Sequence, residues 1–221
     1  MDRPAVGYET ARTLMVDGQV RPNKVTDARL IAAMRTLPRE RFLPPGLAPL
    51  AYSDAGVKLG GGRVLAAPMA IARLVQLAGL RGGEAVLLVG AGTGYGAALL
   101  AACGGRVTAL EEDAELLALA RGALAGVAGV TLVAGPLAEG WKAGAPYDVV
   151  FIEGAVEEIP PALAAQLRSP GGRLVAVRAA AGRVGQAVLG EPSAGGLVVQ
   201  PMFDCAVPLL PALRRVPGFV F

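Results

Sequence analysis

Between residues 68 and 80 apolar side chains fall at Met69, Ile71, Ala72, Leu74, Val75 and Ala78, the spacing of a helix packed along one face, and the Gly82-Gly83 pair predicts its stop. Beyond that point the period changes. Short, continuously apolar runs at 85–89, 107–110, 130–134, 149–152 and 174–177 read as strands. Helical stretches at 96–103 and 113–125, a longer loop before Tyr147 and a helix at 161–167 separate them. This alternation predicts a doubly wound α/β fold, a mostly parallel sheet with helices on both faces. Strands without polar alternation are those buried on both sides. Two further strands at 184–189 and 197–202 bring the sheet to seven, after which Pro208, Pro211 and Pro217 punctuate an apolar tail. Upstream, residues 1–45 read as helical and polar-faced, with Thr26-Asp27 placed to cap ARLIAAMRTL and Pro38 closing that segment. Pro44, Pro45, Gly46 and Pro49 then form a turn-rich link, and Gly60, Gly61 and Gly62 a second loop. The expected organisation is an N-terminal helical lobe with its following loop over 1–67, and an α/β domain with an atypical tail over 68–221.

Composition narrows the chemistry. Mean hydropathy is +0.50 and only 18% of residues are charged, so a membrane span has to be considered. The stretch from Glu84 to Arg106 is free of charge between its ends and long enough, but six of its residues are glycine, which fits strand, loop and helix better than a spanning helix. The N-terminal MDRPAVGYET carries charges and no apolar core of a signal peptide, so a cytoplasmic location is expected. Cys103 and Cys205 lie among apolar neighbours as small hydrophobes do, and their spacing suits no metal site. The net charge is +3, but the 21 Lys and Arg are scattered and aromatics make up 5%, which does not favour nucleic-acid binding. With no histidine in the chain, Ser-His-Asp and Cys-His catalysis and histidine-based zinc sites are excluded.

The candidate chemistry centres on VLLVGAGTGYG, residues 86–96. In an open α/β sheet, ligands settle beyond the carboxyl ends of the strands, where strand order reverses. Gly90, Gly92 and Gly94 would let backbone approach a ligand, and the helix that follows offers free amide donors. The pattern is G-x-G-x-G rather than the dinucleotide G-x-G-x-x-G, and no Gly-Lys-Ser or Gly-Lys-Thr follows to make a P-loop. Glu111 ends the second strand, 21 residues past Gly90, where a carboxylate can accept from both hydroxyls of a ribose. The alternative is that Glu111, Glu112 and Asp113 only cap and charge the next helix.

GAGTG followed by ALEED, APYDVVFIEGAV and PPALAAQLRSPGGRLVAV resembles the S-adenosylmethionine-dependent methyltransferases, and specifically the protein-L-isoaspartate O-methyltransferase family. MVDGQVRPNKVTDARLIAAMRTLPRERFLPP and LAYSD resemble that family's N-terminal lobe, and the likeness runs to about residue 178. The resemblance implies a Rossmann-like methyltransferase sheet, S-adenosylmethionine as cofactor held by Gly90, Gly92, Gly94 and Glu111, and methyl transfer to a protein or peptide carboxylate. Against the family pattern, Leu88 replaces an acidic residue near the cofactor's methionine end and Pro136 one near the adenine amine. A hydrogen bond to a charged group contributes about 1.5 to 3 kcal/mol, so losing both weakens binding about a hundredfold to many thousandfold unless other contacts compensate. Val64, Leu65 and Ala66 stand where the family has threonine, isoleucine and serine before a proline, so Ala66 takes the serine position and no hydroxyl remains for the substrate carboxylate.

In this acceptor loop, Gly60 to Pro68, Arg63 offers charge instead. Tyr52 and Asp54 match the family pattern and are either site or structural residues. Glu153, expected just past the fourth strand, would orient an acceptor or act as a base; the alternative is helix-dipole charge beside Glu157 and Glu158. Trp141 reads as a packed anchor, with Tyr147 and Asp148 fixing strand entry. Two functions follow. One is a methyltransferase with poor or no isoaspartyl repair activity; the other is a lapsed methyltransferase fold serving as an interaction module, with the tail from Phe203 to Phe221 as a docking or self-association surface.

Overall fold

The computed structural model describes residues 7–179 and 183–214. The lobe opens with α1 (Tyr8–Met15) and, after two irregular turns, α2 (Ala28–Thr36). Asp27 caps α2 as expected, accepting from the amides of Arg29 at 2.9 Å and Leu30 at 3.5 Å. A short antiparallel hairpin, β1 (Val57–Gly60) and β2 (Arg63–Leu65), leads into α3 (Pro68–Ala78). That helix ends at Gly79, in the left-handed region at φ 56°, three residues before the expected Gly82-Gly83 stop, because Gly79 is the first residue able to take a left-handed C-cap at no steric cost.

The main sheet contains β3 (Ala85–Val89), β4 (Arg106–Glu111), β5 (Val130–Ala134), β6 (Val149–Val156), β7 (Arg173–Arg178), β8 (Gln186–Ser193) and β9 (Gly196–Asp204). Their spatial order is β5-β4-β3-β6-β7-β8-β9, the first five parallel, with β8 antiparallel to β7 and β9 antiparallel to β8. The predicted seven-stranded, mostly parallel sheet is therefore present. The helices α4 (Tyr95–Ala102), α5 (Ala114–Ala123) and α6 (Pro161–Ala164) connect the parallel strands. The last is shorter than the expected 161–167 because Leu167 leaves the helix to bridge to Tyr147. Tyr147 also donates to the Trp141 carbonyl at 2.7 Å, and Asp148 accepts from the Ala85 amide at 2.8 Å, so strand entry is fixed as anticipated.

Alternate residues of each strand serve two cores. On one face Val86, Leu88 and Phe151 pack with Ile71, Leu99 and the lobe's Met15, Leu30 and Met34. On the other Leu87, Val89 and Ile152 pack with Leu163, Leu174, Leu210 and Leu213. Two irregularities matter later. Opposite Ala176 of β7, β6 bulges at Ile152, Glu153 and Gly154, so the strand continues four residues past its predicted end. At the outer edge, β9 carries Pro201 and an extra residue, Met202, in its pairing with β8. Among the described residues no helix is long and apolar enough to cross a membrane.

Candidate functional site

Strand order reverses at β3, which pairs with β4 on one side and β6 on the other, and the glycine turn leaves β3 at this point. Gly90, Gly92 and Gly94 all have positive φ (78°, 57° and 95°), a path that L side chains rarely adopt. The amides of Gly90 and Ala91 both donate to the Leu110 carbonyl at 3.0 Å, tying the turn to the neighbouring strand. Gly94 then starts α4.

Glu111 lies at the tip of β4, wholly buried and aimed under this turn. One of its oxygens accepts from the Gly92 amide at 2.7 Å and from Nη2 of Arg63 at 2.9 Å. The other accepts from Nη1 of Arg63 at 2.8 Å and from the amides of Glu112 and Asp113 at 3.0 Å. A carboxylate offers about four lone-pair sites. Five donors already share them, so no capacity remains for a ribose hydroxyl in this arrangement. Asp113, accepting from Glu115 and Leu116, is the cap of α5, and Glu111 holds the two amides that lead into it.

Arg63 reaches Glu111 because the Gly60-Gly61-Gly62 turn, all at positive φ, folds β2 back over the sheet tips. The sequence suggested that its charge faces an acceptor. Instead it forks onto Glu111 and donates to the Gly90 carbonyl at 3.0 Å. Tyr52 is spent within the lobe, accepting from Arg12 at 3.0 Å and donating to Glu40. Burial and the Glu40 hydrogen bond push its phenol up to about 12. Asp54 is exposed, away from this cluster.

Glu153 is corrected in both position and environment. It lies inside β6, in the bulge, not past the strand, and it is not a solvated helix-end charge. An added Cβ on Gly96 would lie 2.1 Å from its Oε2, which has no hydrogen-bond partner. Burial raises its carboxyl to about 8, against the opposing pull of Arg63 and Arg39 and with a further push from Glu111. Arg39 was not legible as a site residue. It is fully buried, stacks 4.6 Å from the Tyr95 ring centroid and donates to the carbonyls of Ala51 and Ala66, pinning the loop that bears Ala66 to the start of α4. Leu88 is buried in the apolar core and Pro136 is exposed, so neither position supplies an acidic anchor.

The hollow beside the glycine turn is filled by the tail. Leu209 bridges to Ala155, the Ala155 amide donates to the Pro208 carbonyl at 2.9 Å, and the Leu210 amide donates to the Ala155 carbonyl at 2.9 Å. The Leu210 side chain lies 3.3 Å from where a Cβ on Gly90 would be and 2.5 Å from one on Gly154. Pro211 abuts Gly62 at 2.9 Å measured the same way. Around these contacts lie a cavity of about 20 Å³ beside Glu153 and one of about 70 Å³ beside Leu137. Ligand pockets commonly measure roughly 300 Å³ or more. A larger cavity, about 600 Å³, lies elsewhere, between α6 and the β8–β9 hairpin. As arranged, the site does not fit a nucleoside cofactor.

The sequence matches the protein-L-isoaspartate(D-aspartate) O-methyltransferase (PCMT) family over residues 11–188. The chain belongs to that family. Protein-L-isoaspartate O-methyltransferase 1 of Rhodopseudomonas palustris (strain HaA2) is 39% identical over 173 residues, covering 77% of this chain and 70% of its own. A protein-L-isoaspartate O-methyltransferase of Methylorubrum extorquens (strain PA1) is 42% identical over 173 residues, covering 78% and 75%. A solved protein-L-isoaspartate O-methyltransferase superposes with a TM-score of 0.77 at 25% identity, covering 94% of this chain and 67% of the other. The family is one of S-adenosylmethionine-dependent protein carboxyl O-methyltransferases. Its match ends at residue 188, before the segment that fills the hollow.

Proposed function

We propose that this protein is an S-adenosylmethionine-dependent methyltransferase acting on a carboxylate-bearing protein or peptide, with weak or no repair activity on isoaspartyl sites. The observation that supports it is Glu111 held under a turn of three left-handed glycines where strand order reverses. In this reading Gly90, Gly92 and Gly94 would hold the cofactor and Glu111 its ribose, with Arg63 and Leu210 displaced. The cofactor supplies an activated methyl group. An ionised acceptor carboxylate needs no proton removed, so the lack of histidine is no obstacle, and the protein's task is to align two bound partners. Low repair activity follows from Val64, Leu65 and Ala66, which offer no hydroxyl to an isoaspartyl carboxylate.

The second reading is a lapsed methyltransferase fold that binds partners without chemistry, and the filled hollow favours it. Titration calorimetry with S-adenosylmethionine separates the two. The first reading expects a measurable dissociation constant and a raised melting temperature. Affinity weaker than about millimolar, near −4 kcal/mol, with no melting shift leaves only the second. Given binding, transfer of tritiated methyl is expected to be low on isoaspartyl peptides and higher on another carboxylate acceptor; efficient transfer to isoaspartyl peptides would contradict the predicted loss of repair.

A further inference from the structure

We propose that residues 207–213 form an intramolecular strap that competes with the cofactor for its site, anchored by Leu210 while Arg63 occupies Glu111. The proposal rests on the transferase reading above. Its basis is geometric: the strap crosses the tips of β6, β3 and β4 in turn. Val207 to Leu210 cover Glu153 and Gly154, Leu210 covers Gly90, and Pro211 and Ala212 reach the hollow beside Asp113 and Leu137. Arg63 meanwhile occupies both oxygens of Glu111. Each group that would receive a nucleoside is therefore already in contact with the chain itself.

The strap is built to leave. Two main-chain hydrogen bonds tie it to β6, both through Ala155, and Pro208 and Pro211 lack the donors needed to extend that pairing. Its hold otherwise comes from the buried side chains of Leu210 and Leu213 and from Val207 and Leu209, half-buried against the core. Segments with few backbone bonds open locally well before the fold does. Two states close in energy are what a ligand can shift. Cofactor affinity is then reduced by the fraction of molecules in which the strap is open.

Amide hydrogen exchange on the full chain, with and without S-adenosylhomocysteine, tests the competition. At saturation, exchange at the amides of Leu210 and Ala155 is expected to speed up by about tenfold or more, because bound ligand excludes the strap. In parallel, Leu210→Gln is expected to bind S-adenosylhomocysteine about tenfold more tightly than the unaltered chain. Binding with unchanged protection at both amides overturns the strap and leaves the transferase reading intact. Equal affinity in a folded Leu210→Gln protein does the same. If neither protein binds, the competition and the transferase reading fall together. Should Leu210→Gln not fold, exchange on the unaltered chain decides alone.

Discussion

Arg63 and Glu111 form a buried pair whose two halves were visible in the sequence but not as a pair. Glu111 could be placed from its distance to the glycine turn, because a parallel strand pair fixes that geometry. Arg63 could not, because a three-glycine turn sets no direction for the residue after it. Breaking a buried pair by removing one partner leaves an uncompensated charge. Arg63→Met is therefore expected to lower stability by about 3 to 5 kcal/mol in urea unfolding, with part of the loss recovered when Glu111→Gln is added. Glu153 gives a pH signature. Its carboxyl titrates near 8 in the folded chain and near the usual carboxylate value when unfolded, so the folded state holds the extra proton between those limits. Stability from this group is full below about pH 4, falls as pH rises, and is lost once pH passes about 8. Arg63 and Arg39 face it and pull its titration down, and Glu111 pushes it up. Glu153→Gln is expected to raise stability on the order of 3 kcal/mol at pH 7 and to have little effect near pH 4, as read from denaturation at the two pH values.

Among elements, those with a strong period were readable. The strands at 85–89 and 130–134 match to the residue, and Asp27 caps α2 as its position before the apolar run required. Asp27→Ala is expected to cost about 1 kcal/mol by thermal or urea unfolding, since two amides at the start of α2 lose their acceptor. The bulge in β6 was not readable. Ile152-Glu153-Gly154 looks like a strand that has stopped, since a carboxylate and a glycine interrupt the apolar run, yet the chain resumes pairing at Ala155. Bulges re-aim side chains beside functional sites, and this one turns Glu153 into the protein. The path of the tail was unreadable for a different reason. Apolar residues between prolines suggest a surface for a partner, and nothing local says that Leu210 folds back onto Gly90 and Gly154. The tail beyond Arg214 lies outside the described residues.

For the whole molecule, fold and family followed from the order of motifs, whereas the closed site did not, because it depends on a segment outside the family match. Under the transferase reading, S-adenosylmethionine at a hundred times its dissociation constant adds about 2.7 kcal/mol, which for a domain of this size is a melting shift of roughly 5 to 10 °C in calorimetry. The outer strand β9 has a consequence of its own. Edge strands are templates for unwanted pairing, and a proline without an N–H together with an inserted residue spoils that template. Replacing Pro201 by Val and deleting Met202 would give a flat, continuous ladder, and light scattering on concentrated solutions is expected to reveal aggregates that the unaltered chain does not form.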